Sequence, residues 1–153
     1  MTPYDRLKQL KLELPTAAVP VANYVPFVLA NGFLYVSGQG PRRADGTVCS
    51  GKVGAEVSLE EAYQHAQLTG LNVLAVVQLA LGDLGRVRRV VKLLGMVNAV
   101  PTFGDHPKVI NGCSDLFVNV FGEAGRHARS AVGMGSLPGN MPVEIEAIFQ
   151  IDG

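Results

Sequence analysis

Apolar residues fall at two different periods along this chain, and the alternation between them predicts the order of its elements. Residues 3–14 place Leu7, Leu10 and Leu14 at helical spacing, with Thr2 as N-cap and Pro15 as a stop, which predicts a short amphipathic helix. After a loop rich in Pro and Ala, two β-prone runs at 25–29 and 33–37 flank Asn31-Gly32, a pair that tolerates positive φ and so predicts a tight hairpin. Residues 58–81 carry the clearest helical pattern. Ser58 and Glu61 form a capping box, Leu59, Ala62, Ala66, Val73 and Val77 recur near helical spacing, and Gly82 supplies the C-cap. From Leu71 onward apolar residues surround the axis, so this half needs cover from a sheet on one side and from something else on the other, a subunit contact being one candidate.

The second half repeats the theme. Residues 86–99 read as a long strand, 101–107 as a loop, and about 108–121 as a helix closed by Gly122. Residues 129–135 alternate, and Val143, Ile145, Ala147, Phe149 and Ile151 form one face of a last strand, with Glu144, Glu146, Ile148 and Gln150 on the other. Pro138-Gly139-Asn140 turns the chain between them. Helix, hairpin, helix, strand, helix and two strands predict an α+β fold, a mixed sheet with two main helices on one face. The other face should carry Val, Leu and Ile in excess and be buried by oligomerisation.

No repeat or linker interrupts the pattern, so residues 1–153 are read as a single domain, with 1–20 as N-terminal helix and lead-in. Thirteen basic residues balance thirteen acidic ones. A neutral chain lacks the field that drives non-specific nucleic-acid binding, and the densest basic stretch, Arg86, Arg88, Arg89 and Lys92, has no interleaved aromatics and reads as the solvated side of a strand. The charged N-terminus does not look like a signal peptide, and the most apolar stretch, 68–81, falls short of the ~20 residues needed to span a bilayer. A soluble, cytoplasmic protein is expected. Cys49 and Cys113 stand alone, without ligand spacing, and are read as buried or incidental thiols; neither a metal nor a cofactor is expected.

Among residues that can carry chemistry, Arg129 opens a strand after His127-Ala128, on the same face as Ala131 and Gly133. Small neighbours leave room for a guanidinium, whose fork matches a carboxylate. From this local pattern alone, a salt bridge at a strand end is the stronger reading. Glu144 and Glu146 share a strand face about 7 Å apart, but nothing marks a sugar cleft around them. His127 is expected at the site or its rim and His65 on a helix surface, with no serine in an elbow motif beside either. The Ser37-Gly38-Gln39-Gly40-Pro41 run would admit a close backbone or ligand approach.

Several of these segments together, over about 21–151, resemble the Rid/YjgF family of reactive intermediate deaminases, also called endoribonuclease L-PSP. The resemblance lies in Tyr24, in Tyr35-Val36-Ser37-Gly38-Gln39, in Asn111, in Ala128-Arg129-Ser130-Ala131-Val132 followed by Leu137-Pro138, and in Val143-Glu144-Ile145-Glu146-Ala147. It implies a chorismate-mutase-like subunit in a homotrimer with a barrel core and sites between subunits. It also implies hydrolysis of enamines and imines of small carboxylates to 2-keto acids and ammonia, without cofactor. In that chemistry Arg129 clamps the carboxylate, Glu144 and the Ala131 backbone carbonyl hold a water, and Tyr24, Gly38 and Asn111 shape the pocket. Two features depart from the family pattern: Ala131 stands where many of its deaminases have cysteine, and a Gly-rich insertion at 49–57 joins the extra N-terminal helix. A keto-acid or amino-acid sensor trimer without catalysis is the second reading, and a ribonuclease the third.

Overall fold

A computed structural model describes residues 1–18 and 22–152. The lead-in expected up to residue 20 therefore ends on Val19 and Pro20, which lie outside the described residues together with Val21 and Gly153. In chain order the elements are α1 (Pro3–Gln9), β1 (Phe27–Ala30), β2 (Phe33–Gln39), α2 (Leu59–Leu81), β3 (Val87–Asn98), α3 (His106–Phe121), β4 (Ala128–Met134) and β5 (Val143–Ile151). This is the predicted order. The strands form one mixed sheet, β1-β2-β5-β3-β4, in which β3 and β4 are parallel and the other neighbours antiparallel.

Local signals account for most of the boundaries. Asn31 and Gly32 both take positive φ in the β1–β2 turn. Ser58 and Glu61 exchange hydrogen bonds at the start of α2, and Gly82 closes it in the left-handed region. Two boundaries differ from expectation. α1 stops at Gln9 because Lys11 turns left-handed at φ 58° and Leu12 N–H closes on the Leu7 carbonyl, which sends Leu12 and Leu14 onto the core as extended chain. α3 starts at His106, since Pro107 fits the first turn, where its missing N–H costs nothing.

α2 and α3 lie on the sheet face that presents Leu34, Val36, Val90, Leu93, Val97, Ile145 and Phe149, all buried. The two helices approach closely: a Cβ on Gly112 would stand 2.0 Å from the Tyr63 carbonyl oxygen. Most of the apolar half of α2 is covered from within the chain, by the sheet, by α3 and by the segment after β2, where Asn72 Nδ2 donates to the carbonyls of Gly40 and Arg42, while Leu79 near its end stays exposed. The 49–57 segment packs over the end of β3, with Val53 fully buried and bridged to Ala99. Lys52 Nζ donates to buried Asn98 Oδ1 at 2.7 Å and to the Gly135 carbonyl at 2.9 Å.

Among the described residues the opposite sheet face carries no helix, as predicted, but it is less apolar than the pattern suggested. A shallow depression of about 380 Å³ there brings Tyr35, Leu94 and Ile148 together with Lys92, Ser130 and Glu146. Apolar residues and charges alternate because neighbouring strands contribute side chains of different character to one face. In the basic stretch, Arg86 and Arg88 both pair with Asp152, and Arg89 donates to the Arg126 carbonyl. Cys49 and Cys113 are buried free thiols. No helix among the described residues is long and apolar enough to cross a membrane.

Candidate functional site

Register decides which of the predicted site residues can meet. Arg129 on β4 lies beside Leu93 of β3, a fully buried residue of the helix-covered face, so its side chain rises toward α3. Asn111 Oδ1 receives Arg129 Nη1 at 2.8 Å and Ser114 Oγ receives it at 3.0 Å. Both acceptors stand on one side of α3 because they are three residues apart. Ala131 follows on the same face of β4, beside Gly95, whose missing side chain admits Ile110.

A cleft of about 500 Å³ opens along this edge, lined by Tyr63, Ser114, Asp115, Asn119, Arg126, His127 and Arg129 among others. Tyr63 donates to Asp115 Oδ2 at 2.6 Å; that bond, with burial, pushes the phenol up to about 12. Ser114 Oγ lies 2.9 Å from His127 Nε2, and His127 Nδ1 lies 2.7 Å from the Gly125 carbonyl. Burial, then the nearby Arg129 charge, hold the imidazole below its ordinary value. The sequence reading put His127 at or beside the site but missed Ser114. The signal was available: Ser114 is one helical turn beyond Asn111.

Glu144 belongs to another surface. It pairs with Met96, which in turn pairs with Val132 of β4, so it projects from the sheet face opposite to Arg129. β3 also lies between β5 and β4, about 10 Å of lateral separation. Gly38 is Glu144's close neighbour: a Cβ built on Gly38 would meet Glu144 Oε2 at 2.2 Å. Glycine here is a requirement of contact with a side chain, where the sequence pointed to a turn or to a close backbone or ligand approach. Tyr24 is exposed in the bend before β1, and the Ser37 hydroxyl holds that segment by donating to the Val25 carbonyl at 2.7 Å. Burial first, and Glu146 second, raise the Glu144 carboxyl above its ordinary value.

The six predicted residues therefore divide: Asn111 on α3 meets Arg129, with Ala131 on the same face of β4, whereas Gly38 and Glu144 meet away from them, Glu144 on the opposite sheet face, and Tyr24 is exposed before β1. Glu146 points to the open face with Glu144, and its exposure suits a solvated carboxylate. Among the described residues no cluster of three or more His, Cys, Asp or Glu side chains is arranged to hold a metal ion.

Comparison with known proteins fits this architecture. Residues 4–146 match the family described as "YjgF/chorismate_mutase-like, putative endoribonuclease". Protein TCP17 of Trypanosoma cruzi is 44% identical over 147 residues, which cover 95% of this chain and 92% of that protein. The crystal structure of Atu1372 from Agrobacterium tumefaciens superposes with a TM-score of 0.92 at 50% identity, covering 98% of this chain and 92% of its own. A structure from Shewanella oneidensis, described as a "putative endoribonuclease", gives 0.95 at 34% identity over 99% and 100% of the two chains.

Proposed function

This chain belongs to the YjgF/chorismate mutase-like family, and from that premise we propose that it hydrolyses enamines and imines of small carboxylates to 2-keto acids and ammonia. The observation that carries the reading is the state of Arg129. Its Nη1 is fixed by Asn111 and Ser114, while its Nε and Nη2 have no protein acceptor among the described residues, and the side chain lines the cleft. A guanidinium held on one side and free on the other is a receptor for a planar anion.

Tyr24, Gly38 and Glu144 complete the chemistry only from a neighbouring copy, because Glu144 and Arg129 leave opposite faces of one sheet. In a homotrimer, the open face of one subunit brings Tyr24, Gly38 and Glu144 to the α3 edge of the next, so that each cleft receives one half from each of two chains. With the substrate carboxylate on Arg129, a water between Glu144 and the Ala131 carbonyl adds to the imine carbon. Glu144 takes a proton from the water and passes it to nitrogen, giving the carbinolamine; it then carries the hydroxyl proton to the amine, and as the carbonyl forms the C–N bond breaks and ammonia leaves. A carboxyl raised above its ordinary value by burial holds a proton more readily than a fully solvated one, which suits an exchange in both directions. An imine already reacts with water, so orientation and proton management suffice.

The family's description also names an endoribonuclease. Zero net charge gives no broad positive field for a phosphate backbone, and Arg86 and Arg88 of the densest basic stretch pair with Asp152, so RNA cleavage ranks below imine hydrolysis.

The test compares wild type with Arg129→Ala, using an amino-acid oxidase to supply imine and a trapping reagent to report its lifetime, with keto-acid titration and light scattering in parallel. Arg129→Ala should lose ~2–5 kcal/mol of carboxylate binding while keeping its fold and a trimer mass. Full activity in this variant, or a monomeric active wild type, would refute the site. Keto-acid binding by wild type without faster imine decay would favour a sensor.

A further inference from the structure

Arg129 is the end of a chain of hydrogen bonds in which every proton has an assigned place. The Gly125 carbonyl can only accept, so His127 Nδ1 carries the ring proton. In a neutral imidazole Nε2 is then an acceptor, and Ser114 donates its hydroxyl proton there. The Ser114 lone pairs are left for Arg129 Nη1, whose second N–H goes to Asn111. The anchor is rigid: Gly125 is buried, and a Cβ on it would meet the Phe117 carbonyl oxygen at 2.2 Å. Phe117 also braces the imidazole edge to face, at 6.2 Å between ring centroids.

We propose that Ser114 and His127 are positioning residues that occupy the Nη1 side of Arg129 and so direct its carboxylate ligand onto the Nε and Nη2 edge. The proposal rests on reading Arg129 as the carboxylate clamp. It specifies a side-on approach, with both carboxylate oxygens in the guanidinium plane.

The same chain couples the clamp to pH. Around His127 stand Arg129 on β4, Asp115 on α3 with its partner Tyr63 on α2, and the Arg126 and Glu123 pair at the turn after α3. None of these charged groups hydrogen-bonds the ring in its neutral form. When the ring is protonated, Nε2 becomes a donor, the Ser114 proton must turn away, and a second cation stands beside the guanidinium. An anion in the cleft favours that cation. Ligand and proton therefore bind cooperatively, even though the guanidinium is held less firmly.

The experiment is a nitrogen NMR titration of His127 in wild type, Arg129→Ala and His127→Phe, with pyruvate as the probe. Without ligand, the expected results are the Nδ1–H tautomer at neutral pH and a His127 titration that moves upward in Arg129→Ala. Saturating pyruvate should move the wild-type titration upward as well. Ser114→Ala should weaken pyruvate binding roughly tenfold, as for the loss of one hydrogen bond to a charged group. His127→Phe keeps the ring packing, and should flatten the pH dependence of binding. An Nε2–H tautomer, or a His127 titration indifferent to Arg129, would overturn the relay on its own terms, because neither needs a ligand. Wild-type affinity and pH profile in His127→Phe would also overturn it. Failure of wild type to bind any small carboxylate would remove the clamp, and the proposal with it.

Discussion

Replacing Gly38 by alanine tests the Glu144 half of the site with one methyl group. The added Cβ would lie 2.2 Å from Glu144 Oε2 and 3.1 Å from its Cδ. Ordinary contact begins near 3.4 Å, so the carboxylate oxygen must retreat by roughly 1.2 Å. Gly38 is not among the positive-φ residues, so alanine brings no backbone strain. The atom in the way is the far end of a flexible side chain, which can rotate at a cost of about 0.5–1.5 kcal/mol. The fold should therefore hold, with a small change in Tm. Catalysis should not, because a displacement of about 1 Å in a group that orients the attacking water can cost about 10²-fold in rate. The imine-trapping assay measures kcat, and thermal unfolding measures the fold. A double variant sharpens the inference: if the methyl acts only through the carboxylate, Gly38→Ala with Glu144→Gln should be no slower than Glu144→Gln alone. Wild-type kcat in a folded Gly38→Ala protein would refute the role given to Glu144, and additive losses would refute the route.

Two further predictions concern stability. Gly112→Ala places a Cβ 2.0 Å from the Tyr63 carbonyl oxygen and 3.0 Å from the Gln67 nitrogen, both rigid backbone of α2, and should cost about 3 kcal/mol, the upper range for overpacking, read as a lower Tm or denaturant midpoint. Glu144 has a folded pKa raised above its ordinary 4.5, so its contribution to stability is present below that pH and is lost as pH rises through the folded value. Glu144→Gln cannot ionise, and should raise Tm at neutral pH but not in acid below 4.5; an equal gain at both would contradict the sign.

The element order was readable because strong local devices mark it: the Ser58 and Glu61 box, the Asn31-Gly32 turn, and the strict alternation of β5. α1 was overextended because its left-handed closing residue is Lys11, where the sequence signal would be glycine or asparagine. Arg129, Asn111 and Gly38 could be singled out as candidates, and Ser114 could not, since serine within an amphipathic helix carries no mark until its facing strand is known. That Arg129 and Glu144 project from opposite faces was beyond a single sequence. Alternation gives the two sides of each strand, whereas the side shared between strands follows from pairing, and the β3–β4 pair is parallel through a helical crossover.

That opposition bears on inheritance. On the cleft proposed above, each subunit lends its guanidinium to one site and its carboxylate to another, so one defective copy among normal ones damages a site it shares with a healthy neighbour. A chain lacking Arg129 and a chain lacking Glu144 fail separately, yet side by side they join an intact guanidinium to an intact carboxylate in one cleft. Activity then belongs to the boundary between two gene products, and two null alleles complement each other where two copies of either one do not.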